Sequence, residues 1–151
     1  MVESHLPLVT VTGISGYVGS TVGLLLLQSG KYRVRGTVRS LTNADKIEPL
    51  KAAYGEELLQ RLELVEADLL DPDSLMRAMQ GSSFCCHVAS PFIIENPRHE
   101  DELIRPAVEG TKSVLRACQA AGVRRVTITS SVAAVASMAP ENAPDVFDES
   151  H

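Results

Sequence analysis

The sequence predicts an α/β protein: a doubly wound parallel sheet with helices on both faces, truncated after a fifth strand. Three observations carry that expectation. β-branched apolar runs alternate with segments of helical period through most of the 151 residues. The first run, Val9-Thr10-Val11-Thr12, passes straight into glycines three apart, Gly13, Gly16 and Gly19, and then into an apolar helix. A later run, 84–89, is nearly all apolar, as a strand covered on both faces should be.

The elements follow in order. Leu8–Thr12 is the first strand. Val18, Val22, Leu25 and Leu26 recur at helical spacing and are expected to face the core, with Gly30 as the stop. Arg33–Val38 is the second strand. Residues 43–60 read as a helix interrupted at Pro49, because proline lacks the N–H and crowds the preceding turn. Residues 62–67 form the third strand. Asp71-Pro72 opens a helix, the aspartate capping free N–H groups and the proline fitting the first helical position. That helix carries Leu75, Met76 and Met79 and stops at Gly81. Residues 84–89 are the fourth strand. A longer helix covers 101–121, with Val108, Val114, Leu115 and Cys118 toward the core, Pro106 kinking or dividing it and Gly122 ending it. Residues 126–129 are the fifth strand and lead into Ser130-Ser131. Residues 1–138 therefore read as one nucleotide-binding domain. Residues 139–151, with two prolines and four acidic residues, read as a loop or ragged end.

Composition narrows the class. Apolar residues make up 44% and charged residues 22%, as in a soluble globular protein. A net charge of −5 argues against a nucleic-acid partner, which calls for a basic face. The longest apolar helical run ends at Gln28-Ser29-Gly30, too early to span a bilayer, so no membrane partner is expected. No basic leader precedes the first strand, and Cys85, Cys86 and Cys118 lack the spacing of a disulfide framework. Both features point to the cytoplasm and to free thiols. Oligomeric state is left open.

The glycine turn suits a pyrophosphate. Gly13 permits a sharp turn, Gly16 leaves no Cβ in the way of the phosphates, and Gly19 lets the helix sit close to the strand. The helix start then offers N–H groups and a positive dipole end to the anion. Thr12, Gly13, Ser15, Gly16, Tyr17, Val18 and Gly19 form this candidate cradle. Twenty residues after Gly19, where an NAD site usually places a carboxylate, stands Arg39. A guanidinium attracts a ribose 2′-phosphate, so NADP (as NADPH) is expected over NAD, with Lys46 as a second cation. Asp68-Leu69, after the third strand, is a candidate for the adenine; a turn-capping role for Asp68 is the competing reading. Val88, Ala89 and Ser90 close the fourth strand with small residues where such sheets bind ligands. His87 reads as a hydrogen-bonded core residue. It has no second histidine at metal-ligand spacing, so no metal site is expected. Cys85 and Cys86 read as packing residues.

Taken in order, Thr12-Gly13-x-x-Gly16-x-x-Gly19, Val38-Arg39, Ala67-Asp68-Leu69, His87-Val88-Ala89-Ser90-Pro91, Gly110-Thr111 and Thr129-Ser130-Ser131 resemble the dihydroflavonol reductase and cinnamoyl-CoA reductase branch of the extended short-chain dehydrogenase/reductases. The resemblance covers nearly the whole chain. It implies a Rossmann-type sheet and NADPH-dependent reduction of a small-molecule aldehyde, ketone or thioester. It also implies that Ser131 is the catalytic serine holding the carbonyl oxygen, with Ser130 as the near alternative and Thr129 and Ser130 lining the cofactor. In that family a tyrosine donates the proton and a lysine four residues later lowers its pKa. Here the tyrosines are Tyr17, Tyr32 and Tyr54, followed four positions later by Thr21, Gly36 and Leu58, so no such pair occurs in the 151 residues. The expectation is the cofactor-binding, N-terminal part of a longer reductase. Two other readings compete: an NADP-binding module without chemistry, and an NAD-dependent sugar epimerase or dehydratase, against which Arg39 weighs.

Overall fold

The computed structural model describes residues 5–91, 99–136 and 146–148. Five strands, β1 (Leu8–Thr12), β2 (Arg33–Val38), β3 (Leu62–Glu66), β4 (Phe84–His87) and β5 (Arg125–Ile128), form one sheet in the order β3-β2-β1-β4-β5. Every pairing is parallel. The helices are α1 (Tyr17–Gln28), α2 (Ala44–Leu59), α3 (Pro72–Met79), α4 (Asp101–Ala120) and the short α5 (Val132–Ala136). The chain winds outward from β1 to β3, then returns to lay β4 on the other side of β1. The crevice at that reversal opens at the carboxyl ends of β1 and β4.

Two cores sandwich the sheet. Val9, Val11, Val34 and Val38 meet Leu27 of α1 and Ile47, Leu50 and Tyr54 of α2. On the opposite face Cys85 meets Leu75, Ala78 and Met79 of α3 and Val114, Ala117 and Cys118 of α4. Burying an aliphatic side chain of this size contributes roughly 1.5–3 kcal/mol. The polar residues of β1 are fully buried and paired: Thr10 Oγ1 lies 2.7 Å from Ser82 Oγ. Gly30, Gly81 and Gly122 all take positive φ just beyond their helices, as the sequence predicts.

Four expectations need correction. The inward side of α1 is Gly19, Gly23 and Leu27, whereas Val18 and Leu25 are exposed and Val22 and Leu26 half-buried. A Cβ at Gly23 would fall 2.4 Å from Tyr54 Oη and 2.7 Å from Ile14 Cδ1, so close approach rather than side-chain size selects that side. The break in α2 is at Gly55 (φ 67°, ψ 172°), while Pro49, the sixth helical residue, keeps helical φ/ψ. α4 runs continuously through Pro106; Val108 and Leu115 are exposed, and Gly110, Val114, Ala117 and Cys118 are buried. β4 stops at His87 rather than residue 89, because the next two N–H groups turn to the Thr12 side chain. Strands β3 and β5 differ from expectation by one residue at their ends. The 138/139 boundary lies outside the described residues; 146–148 carry neither helix nor strand.

Candidate functional site

The glycine turn is shaped by contacts that exclude side chains. Gly13 has φ 68°, and a Cβ there would lie 2.8 Å from Ala89 Cα. A Cβ on Gly19 would lie 2.3 Å from Gly13 O. One on Gly16 would meet only Gly13 O, at 3.3 Å, so the space before Gly16 stays open to a ligand. Gly16 caps α1 without a side-chain hydrogen bond, leaving the first-turn N–H groups to whatever approaches. The turn is tied to β2: Ile14 N donates to Thr37 O (3.2 Å) and Gly13 N to Thr37 Oγ1 (3.3 Å). Ile14 is fully buried against Gly36, where a Cβ would come within 2.5 Å of it. Sequence reasoning missed Ile14, Gly36 and Thr37; the signal was a glycine inside a β-branched strand, which marks close approach.

Thr12 joins the turn to β4. Its Oγ1 accepts from Val88 N and Ala89 N, 3.1 Å each, and lies 2.8 Å from His87 Nδ1. With two N–H groups aimed at the oxygen, the hydroxyl proton goes to Nδ1. The imidazole is therefore neutral, with its proton on Nε2. Burial lowers the His87 pKa from 6.5, in keeping with that form. This is the core histidine read from the sequence, and it also lines the cleft described next. The unfolded chain binds a proton at His87 more readily than the fold does. Stability is therefore expected to be full above about pH 6.5 and to fall as pH drops below it, until the folded-state pKa is passed. Thermal unfolding from pH 7.5 to 5 in the protein and in His87→Gln checks this; the variant should lose part of the slope.

A cleft of about 460 Å³ opens at the carboxyl ends of β4 and β5. It brings together Val88, Ala89 and Ser90 with Thr129, Ser130 and Ser131, all singled out in the sequence. It adds Thr111 of α4, named in the sequence within the Gly110-Thr111 pair, and Ala107 of α4 and Ala134 of α5, which sequence reasoning left out. Gly110 lets Leu69 approach to within 3.0 Å of where its Cβ would be. Ser131 stands just before α5, and its Oγ accepts from Ala133 N at 3.2 Å. Its hydroxyl proton remains available to a second acceptor.

The other candidates lie outside this cleft. Arg39 is exposed at the end of β2 and has no ion-pair partner among the described residues. Lys46 is exposed in the first turn of α2. Asp68 Oδ1 accepts from Leu70 N at 2.8 Å, so the carboxylate does organise the turn after β3. Asp71 caps α3 through Asp73 N and Ser74 N, as expected. Cys85 and Cys118 are buried free thiols, and the hydrogen bond with Cys118, together with burial, pushes the Cys85 thiol up. Among the described residues no cluster of metal-ligating side chains occurs and no helix is long and apolar enough to cross a membrane.

The parallel sheet, the three-glycine turn and the cleft at the strand ends define an extended short-chain dehydrogenase/reductase fold. The sequence pattern of the 3-beta hydroxysteroid dehydrogenase/isomerase family matches residues 10–146, and the chain belongs to that family. It is 43% identical over 128 residues to dihydroflavonol 4-reductase of Hordeum vulgare, covering 84% of this chain and 35% of that protein. It is 40% identical over 139 residues to cinnamoyl-CoA reductase CAD2 of Medicago truncatula, covering 91% and 42%. Among solved structures, yeast methylglyoxal/isovaleraldehyde reductase Gre2 complexed with NADPH superposes with a TM-score of 0.69 at 30% identity, over 85% of this chain and 38% of that one. The chain thus spans well under half the length of these relatives.

Proposed function

We propose that this chain is the cofactor-binding part of an NADPH-dependent carbonyl reductase acting on a small-molecule aldehyde, ketone or thioester. The observation that carries the reading is the contact of Gly13 with Ala89 and of Gly19 with Gly13, which sets the uncapped start of α1 beside the cleft that holds Ser131. The family membership and the reductase names of the relatives support it.

The residues present fit the cofactor. Thr12, Gly13, Ser15, Gly16, Tyr17, Val18 and Gly19 would hold its pyrophosphate, Arg39 with Lys46 its 2′-phosphate, and Asp68 and Leu69 its adenine. Val88, Ala89, Ser90, Thr129 and Ser130 would line its path toward the cleft. The bound cofactor supplies a hydride. Ser131 holds the carbonyl oxygen. Accepting the Ala133 N–H polarises its hydroxyl and makes it a better donor to that oxygen. None of the three tyrosines lines the cleft: Tyr32 packs edge-on against Phe84, and Tyr54 donates to Ser20 O with its pKa pushed up to about 12 by burial. The proton donor is therefore assigned to none of them. A second reading, a module that binds NADP without turning it over, rests on the same uncapped start of α1.

Arg39→Asp tests the cofactor assignment. NADPH affinity is expected to fall by about tenfold to a hundredfold and NADH affinity by much less, since only NADPH carries the 2′-phosphate. Fluorescence titration with both nucleotides decides; equal loss for the two would remove Arg39 from the site. Oxidation of NADPH with an added aldehyde by the 151-residue chain alone would exclude the module.

A further inference from the structure

The opposite edge of the sheet carries charge that nucleotide binding does not use. The turns entering β2 to β5, positions 28–33, 59–62, 79–84 and 121–125, contain Lys31, Arg33, Arg61, Arg124 and Arg125 and no aspartate or glutamate. The whole chain is at −5, so the remainder is more acidic still. The register aligns these cations. Arg33 pairs with Leu8, Val34 with Leu62 and Phe84 with Arg125, while Ser83 N donates to Leu8 O and Arg124 N to Ser83 O. Arg61, Arg33, Leu8, Ser83 and Arg124 therefore stand in one lateral row across all five strands, about 19 Å long at the usual strand spacing.

One feature makes this row more than scattered surface charge. Arg124 is held in place: its guanidinium lies 4.7 Å over the Phe84 ring, which Tyr32 meets edge-on with ring centres 6.3 Å apart. Lys31, Arg33, Arg124 and Arg125 are exposed and join no ion pair among the described residues.

We propose that this amino-terminal edge is a docking surface for an acidic segment of a partner protein, with carboxylates meeting Arg33, Arg124 and Arg125. Four of the five cations are arginines, whose planar fork pairs carboxylates bidentately, and a rigid sheet edge holds them with little ordering cost on binding. A membrane surface fits less well, because Leu6 and Tyr32 are half-buried and, among the described residues, no large apolar side chain stands out from the row to insert. A duplex fits less well, because the basic row is one strand end deep and the chain as a whole carries −5. The inference is independent of the reductase reading.

The test is anisotropy of a short labelled poly-glutamate peptide titrated with the protein at low salt. The peptide is expected to bind. Arg33→Gln/Arg124→Gln/Arg125→Gln should weaken it about tenfold, whereas the equal charge loss Lys51→Gln/Lys112→Gln/Arg116→Gln should change it about twofold or less. Arg33→Lys/Arg124→Lys/Arg125→Lys, which keeps charge but loses the fork, should fall between. NADPH affinity should stay unchanged in all three and the thermal midpoint should fall by no more than about 5 °C, which separates this surface from the nucleotide site and from misfolding. Equal loss in the two glutamine sets, no binding of the peptide, or tighter arginine-dependent binding of phosphatidylserine vesicles or a short DNA duplex would each overturn the proposal.

Discussion

Gly19→Ala is expected to open the glycine turn and abolish nucleotide binding. The new methyl would lie 2.3 Å from Gly13 O and 2.9 Å from Gly13 C, and both neighbours are backbone that cannot rotate away. α1 must then move off β1, which also disturbs Leu27 and the packing of Gly23 against Ile14 and Tyr54. We expect a loss of about 3 kcal/mol or more, seen as a fall of roughly 10 °C in the unfolding midpoint. Gly16→Ala is the informative partner. Its methyl meets only Gly13 O at 3.3 Å, so stability should change by less than about 1 kcal/mol while NADPH affinity still falls, because the methyl fills the space kept for phosphate. Calorimetry with and without NADPH distinguishes the two. If Gly16→Ala binds NADPH normally, the phosphate does not pass over Gly16.

Ser131→Ala is expected to lower turnover about a hundredfold or more in the catalytically active protein, with NADPH affinity nearly unchanged. Ser131 Oγ also accepts the N–H of Ala133, so part of any effect could come from losing a helix cap, about 1 kcal/mol. Two further variants separate the roles. Ser131→Thr keeps both the cap and a hydroxyl donor and should retain much of the activity. Ser131→Asp keeps the cap but has no proton to give a carbonyl oxygen at neutral pH, so it should be stable and inactive. Steady-state kinetics beside thermal melts decide. An active Ser131→Asp would leave Ser131 with a capping role alone and move the search to Ser130, which lines the same cleft.

Much of this protein was legible before its fold. Strand order of appearance, the turn glycines, the Asp71-Pro72 helix start and the glycine stops are local features. A positive φ, a cap and an alternation of apolar runs depend on residues within a few positions of each other. The small residues at the ends of β4 and β5 could be singled out for the same reason: a parallel sheet must present ligands at its carboxyl edge.

The tertiary structure decided what depends on approach between distant segments. α1 is apolar on several sides, so periodicity could not choose its buried side; Gly19 and Gly23 chose it by admitting Gly13, Ile14 and Tyr54. Proline at position 49 looked like the break in α2, yet the break fell at Gly55, whose missing Cβ lets it take φ 67°. The end of β4 was set from 75 or more residues away, by a Thr12 hydroxyl that takes two backbone N–H groups and turns the chain over Gly13. Sequence alone determined the five strands, the four longer helices and the turn chemistry, but not α5. Which of the candidate residues share one cleft, and which of two adjacent serines caps α5, followed only from the packing of the sheet, because long-range contacts leave no local period to read.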